Sequence, residues 1–271
     1  MAIRLWYQSL SRDGAWTPYR DAMNRILDRV KDKDTEIHIA GTTRTGGVAD
    51  QFRYLEFLAT TEVLENCQRA VREGYDAFLI GNIADPGLKE AREIANIPVL
   101  GLCETAMHTA CLMGASFGFV TLNEKYGPKL RENAAKAGLS SRLAGVGRMD
   151  LDRILDMNGG FTDPVKRQAL AEGFLDVADG PEAPEVVIAG GGVMMALLAE
   201  AGVTRTRRGA TVLNGVLSLV TMAEAAVRMN RQLGGAFTSK RLTAAPPAAN
   251  QIAEIRRYCG DVYPTVVPPE G

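Results

Sequence analysis

The chain has 271 residues, of which 46% are hydrophobic and 23% charged, and its net charge is −1. That length suits one large α/β domain or two lobes of roughly 100–130 residues each. The near-neutral balance argues against nucleic acid as a partner. No apolar stretch reaches the roughly 18 residues needed to cross a bilayer, so no membrane partner is expected.

The N-terminal segment Met1–Ser9 reads as a strand and lacks the apolar stretch of a signal peptide. Further strands are predicted at Glu36–Ala40, Ala77–Ile80, Pro98–Leu102, Phe117–Thr121, Leu143–Val146, Glu185–Ala189 and Ala210–Leu213. Amphipathic segments lie between them at Pro18–Val30, Glu65–Glu73, Lys125–Ala137, Pro164–Val177 and Gly215–Leu233. Apolar strands alternating with helices predict an α/β fold with parallel sheets covered on both faces. The order of elements from Ile3 to Asp85 repeats from Phe117 to Val193. Two pseudo-symmetric lobes are therefore expected, each with a mainly parallel four-stranded sheet. Residues 1–114 with 215–271 would form the first lobe, C-terminal helix and tail, and 115–214 the second.

Four cysteines, Cys67, Cys103, Cys111 and Cys259, show no CxxC spacing and read as reduced thiols of a cytoplasmic protein. Two histidines, His38 and His108, are too few for a multi-His metal site or an easily assembled Ser-His-Asp triad. No metal and no cofactor are expected.

Ligands of open parallel sheets sit beyond the carboxyl ends of the strands. The segments to inspect are Gln8–Ser9, Thr42–Thr43, Asn82–Asp85, Cys103–Glu104, Thr121–Tyr126 and Gly190–Val193. After Gly81, Asp85 and Pro86 suit the start of a helix, with Asp85 as its cap. The triplet Gly190-Gly191-Gly192 after an apolar strand allows close backbone approach to an anion, or marks only a tight turn. It is not GxGxxG, so a dinucleotide is not indicated.

Several segments resemble the aspartate/glutamate/hydantoin racemases. They are Gly81 to Leu88, Val186 to Met195, Pro98 to Ala106, Gly118 to Thr121, and the tail Thr238-Ser-Lys-Arg241. The resemblance implies two Rossmann-like lobes, an active site in the cleft between them, and cofactor-independent chemistry at a carbon beside a carbonyl. In those racemases two cysteines face each other across the substrate, one taking the α-proton and the other returning one. Here Asn82 and Gly191 stand at those positions. Neither an amide nor a glycine shuttles a proton.

Other groups are candidates for that chemistry. Cys103 follows a strand near a helix start, where it is either an activated thiol or a buried inert one. Glu104 and His108 are spaced i, i+4 and form a candidate acid–base pair; the plainer readings are a first-turn acid and a packed histidine. Substrate-binding candidates are Gln8 and Ser9, in place of the relatives' Asn-Pro-Asn-type loop, with Thr43, Ile83, Thr121, Lys125, Tyr126, Gly191, Gly192 and Val193. The expected function is an isomerase, lyase or decarboxylase acting through a stabilised enolate on a small carboxylate or cyclic amide. A hydrolase of a small lactam, imide or hydantoin-like ring and a non-catalytic small-molecule binder are the alternatives. The resemblance also implies a homo-oligomer.

Overall fold

The computed structural model describes residues 2–15, 17–46, 51–151, 154–181 and 183–264. In chain order the first half runs β1 (Ile3–Arg12), α1 (Thr17–Val30), β2 (Thr35–Thr42), α2 (Arg53–Arg72), β3 (Ala77–Ile80), α3 (Leu88–Ile94), β4 (Val99–Gly101) and α4 (Leu102–Met113). The second half runs β5 (Phe117–Thr121), α5 (Tyr126–Lys136), β6 (Leu143–Arg148), a 3₁₀ segment Ile154–Phe161, α6 (Pro164–Ala178), β7 (Val186–Ala189), α7 (Gly192–Glu200) and β8 (Thr211–Leu213). Helices α8 (Gly215–Gln232) and α9 (Ala249–Cys259) follow.

The strands form two four-stranded parallel sheets of order β2-β1-β3-β4 and β6-β5-β7-β8. The same order occurs twice, so the fold is an α/β pair of similar lobes. In each lobe the chain leaves the first strand, pairs an outer strand, and returns on the other side. That reversal is a topological switch point, where a crevice opens beyond the strand ends. The two switch points lie at β1/β3 and β5/β7.

Period-two alternation sorts the side chains of β1. Leu5 and Tyr7 enter a core that also holds the strands of the second sheet. Trp6 and Leu10 enter a second core under α2 and α3 with Phe78 and Ile80. Helix α1 buries Tyr19, Ala22, Met23, Ile26 and Leu27, a stripe at i, i+3, i+4 spacing. It packs on α7, α8 and the Ile154–Phe161 segment, so it spans both lobes. Helix α8 packs mainly on α4 and α1 and against β1, β3 and β4 of the first sheet.

On another side α2 meets α5. Arg53 pairs with Glu132 at 2.5 Å, and the buried Lys129 ammonium pairs with Glu56. Lys240 of the tail donates to the carbonyls of Arg92, Glu93 and Ala95, capping the C-terminal end of α3. Helix α2 starts at Arg53, well before the predicted Glu65. Its first turns carry exposed Tyr54, Phe57 and Leu58, which blur the apolar stripe.

Candidate active site

The two switch points are built alike. In the first sheet Gln8 pairs with Ile80, and the next N–H, of Gly81, donates to Gln8 O at 2.8 Å. In the second sheet Val120 pairs with Ala189, and the Gly190 N–H donates to Val120 O at 2.8 Å. The register makes Gly81 and Gly190 equivalent, and so also the residues that follow them, Asn82 and Gly191.

The two elbows face one another. A Cβ on Gly192 would lie 2.9 Å from the Tyr19 hydroxyl and 3.9 Å from Gly81 O. A Cβ on Gly191 would meet nothing within 4 Å, so this position opens on empty space. A Cβ on Gly81 would stand 2.3 Å from Cζ of Tyr7, so only glycine fits beneath that ring. The first-turn N–H groups of α7 have no acceptor within their own helix, and they carry its positive end to this seam. Asn82 is half-buried, and its Oδ1 accepts the Ala84 N–H at 2.9 Å, tightening the elbow.

Asp85 serves a different helix from the one its position predicts. Helix α3 begins at Leu88 behind Gly87 and has no side-chain cap. The Asp85 carboxylate instead accepts the backbone N–H groups of Cys103 and Glu104, at 2.9 and 2.7 Å, and so caps α4 from beyond the end of the neighbouring strand β3. Gly101 leaves room for it, since a Cβ there would lie 2.5 Å from the carboxyl carbon. Burial pushes the Asp85 carboxyl up to about 7, against the two N–H groups that hold it down.

Other predicted residues lie away from the seam or have their polar atoms engaged. Glu104 forms a two-point pair with Arg92, at 2.6 and 3.3 Å. His108 is on the exposed face of α4. Cys103 is fully buried, and burial, with Asp85 next, raises its thiol well above the ordinary range. Gln8 is buried with its amide engaged: Nε2 donates to the carbonyls of Ser9 and Gly41, and Oε1 accepts from the Trp6 indole. Ser9 Oγ shares a hydrogen bond of 2.7 Å with Ser11 Oγ. Both the N–H and the hydroxyl of Thr43 donate to Glu62. Thr121 Oγ1 donates to the carbonyls of Asn123 and Gly147. Lys125 is exposed over the Phe52 ring, and Tyr126 is buried. At the seam Gly192 approaches Gly81 O, with Asn82 and Ile83 following Gly81 in the chain and Gly191 and Val193 flanking Gly192.

A family model described as Asp/Glu/Hydantoin racemase matches residues 17–223. The chain belongs to this family. It is 30% identical to a hydantoin racemase of Pseudomonas sp. (strain NS671) over 44% of this chain and 50% of that protein. It is 27% identical to one of Rhizobium meliloti over 71% of this chain and 75% of that protein. The stretch matched in the Pseudomonas relative thus spans half of its length. Among solved structures, allantoin racemase from Klebsiella pneumoniae superposes with a TM-score of 0.72 at 25% identity, covering 91% of this chain and 94% of the other. Allantoin racemase from Pseudomonas fluorescens gives 0.72 and 25%, covering 91% and 97%.

In this racemase-family chain the elbow residues are Asn82 and Gly191. Cys67 is buried, with its thiol pushed up to about 12 by burial; Cys111 is half-buried and Cys259 exposed. Among the described residues no group of three His, Cys, Asp or Glu side chains could hold a metal ion, and no helix is long and apolar enough to cross a membrane. A separate cavity of about 780 Å³ lies between the two lobes, lined by Arg53, Thr60, Asp85, Glu104, Asn133 and Lys136 among others. None of Asn82, Gly191 and Gly192 lines it.

Sequence reasoning missed Tyr7 and Tyr19, which stand over Gly81 and Gly192. The available signal was alternation in β1, which sends Tyr7 to the face shared with the second lobe, and the placement of Tyr19 on the apolar stripe of α1.

Proposed function

We propose that this chain is an enzyme acting at an acidic C–H beside a carbonyl, through an enolate held at the seam between Gly81 and Gly192. The substrate is a small carboxylate or cyclic amide, and a hydantoin-like ring is the first choice, because the relatives with 27–36% identity bear the name hydantoin racemase. The reaction class is isomerase, lyase or decarboxylase, without the two-thiol relay of the racemases and without a cofactor. The observation that carries this reading is the meeting of the two elbows, with Asn82 and Gly191 in equivalent places.

Negative charge moves onto the carbonyl oxygen as the α-proton passes to a solvent water acting as base. Donors preset around that oxygen lower the barrier, because they need no reorganisation during the step. The first-turn amides of α7 supply such donors. The Asn82 amide, whose oxygen accepts the Ala84 N–H, suits hydrogen bonding beside the substrate but not relaying a proton. All four cysteines are free thiols, which supports the cytoplasmic setting.

Proton NMR in D2O tests the reading. Allantoin and 5-benzylhydantoin serve as probes, and loss of the ring C–H signal at C5 is the expected result. Ring opening with the C5 hydrogen retained favours the hydrolase reading, in which the seam binds a tetrahedral oxyanion and Asn82 positions water. Binding without turnover favours a small-molecule binder.

A further inference from the structure

We propose that the Tyr7 hydroxyl is a donor to the substrate oxygen that gains charge at the seam. The proposal rests on the enolate reading above and names a residue for it. Tyr7 is fully buried, and its hydroxyl finds no hydrogen-bond partner among the described residues. A buried donor left unpaired is costly, so the retained hydroxyl calls for an occupant that completes it.

Position says what that occupant touches. The Tyr7 hydroxyl would lie 2.6 Å from a Cβ on Gly81, so the phenol packs over the first elbow. Gly81 O in turn lies 3.9 Å from a Cβ on Gly192. Burial raises the pKa of Tyr7, and Tyr19, whose hydroxyl would lie 2.9 Å from a Cβ on Gly192, is close enough to raise it further, so the two phenols link the first elbow to the first turn of α7.

The chemistry fits a donor rather than a base. Burial, with Tyr19 close by, holds the Tyr7 phenol in its neutral form. A neutral phenol keeps its proton and points it at a developing oxyanion. In the step the C5–H bond breaks and its proton passes to a solvent water acting as base; the C–H electron pair becomes the C=C bond and the carbonyl π pair moves onto oxygen as an enolate, while the O–H of Tyr7 is not broken.

The test compares wild type with Tyr7→Phe. With allantoin or 5-benzylhydantoin in D2O, the variant should exchange the C5 hydrogen about a hundredfold more slowly, mainly through kcat, with KM changed less than threefold. Its Tm without ligand should equal or exceed that of wild type, because an unpaired hydroxyl has been removed. Unchanged exchange overturns the inference. A lower Tm with unchanged exchange assigns the hydroxyl to a trapped water and also overturns it. If wild type exchanges nothing, the enolate reading fails on its own. The Tyr7 donor is then read from calorimetric binding of unsubstituted hydantoin. Tenfold weaker binding to Tyr7→Phe supports it, and equal binding, or none to either protein, overturns it.

Discussion

Gly192 of the second lobe sits directly beneath the hydroxyl of Tyr19 of the first, so that a methyl group on Gly192 would stand 2.9 Å from that oxygen. The contact joins the element that opens α7 to the helix that spans the lobes. Gly192→Ala should therefore push Tyr19 aside and narrow the seam. The Gly192 backbone conformation admits alanine, but displacing the buried Tyr19 should cost about 1–3 kcal/mol. Turnover should fall ten- to hundredfold. Adding Tyr19→Phe removes the clashing oxygen and should recover part of that loss, read as a coupling in a double-mutant cycle.

Asp85 caps α4 from a distance, with φ of 51° in the left-handed region. Asp85→Ala leaves two helix N–H groups without their acceptor and should cost about 1–2 kcal/mol in urea unfolding. The pH dependence has a definite sign. The folded carboxyl is raised to about 7, above its unfolded value. The folded state thus binds more protons in between, and stability falls as pH rises from about 4 to about 7. Asp85→Asn should flatten that slope. An unchanged slope in the variant would show that Asp85 does not titrate there.

Glu104, His108 and Cys103 form a natural trio in the sequence, yet each has another role in the structure. Glu104→Gln breaks a half-exposed pair with Arg92 and should cost at most about 1 kcal/mol. His108→Ala removes an exposed side chain. Each should lower kcat/KM less than tenfold, and so should Cys103→Ser. A loss of three orders of magnitude in any of them, with the fold retained, would return that residue to the chemistry.

The Glu56–Lys129 pair joins α2 to α5 with little exposure on either side, 15% and 8%. Glu56→Gln removes the carboxylate that faces a buried ammonium and should destabilise by about 3–5 kcal/mol. Replacing both residues with leucine should be much milder. Urea midpoints of the two variants measure the difference.

Much of the fold was legible. Ala77–Ile80 is an apolar run between Asp76 and Gly81, Phe117–Thr121 follows Ser116, and both strands have the predicted bounds. The glycine elbows could be read because glycine directly after an apolar strand marks a close approach. What approaches Gly81 could not be read, because the Tyr7 ring arrives from a neighbouring strand. Asp85 shows the same limit: a carboxylate before a proline looks like a local cap, but its actual partners are Cys103 and Glu104. The i, i+4 spacing of Glu104 and His108 is a true helix relationship. Spacing along one helix says nothing of Arg92, which reaches Glu104 from α3.

The central claim is that the two elbows form one binding seam. A crystal structure with bound hydantoin tests it most directly. The account predicts a ring whose carbonyl oxygen lies within hydrogen-bond reach of the Gly192–Val193 amides, with Asn82 beside it. A ring seated instead in the cavity beside Asp85 and Glu104, with the seam empty, would contradict it.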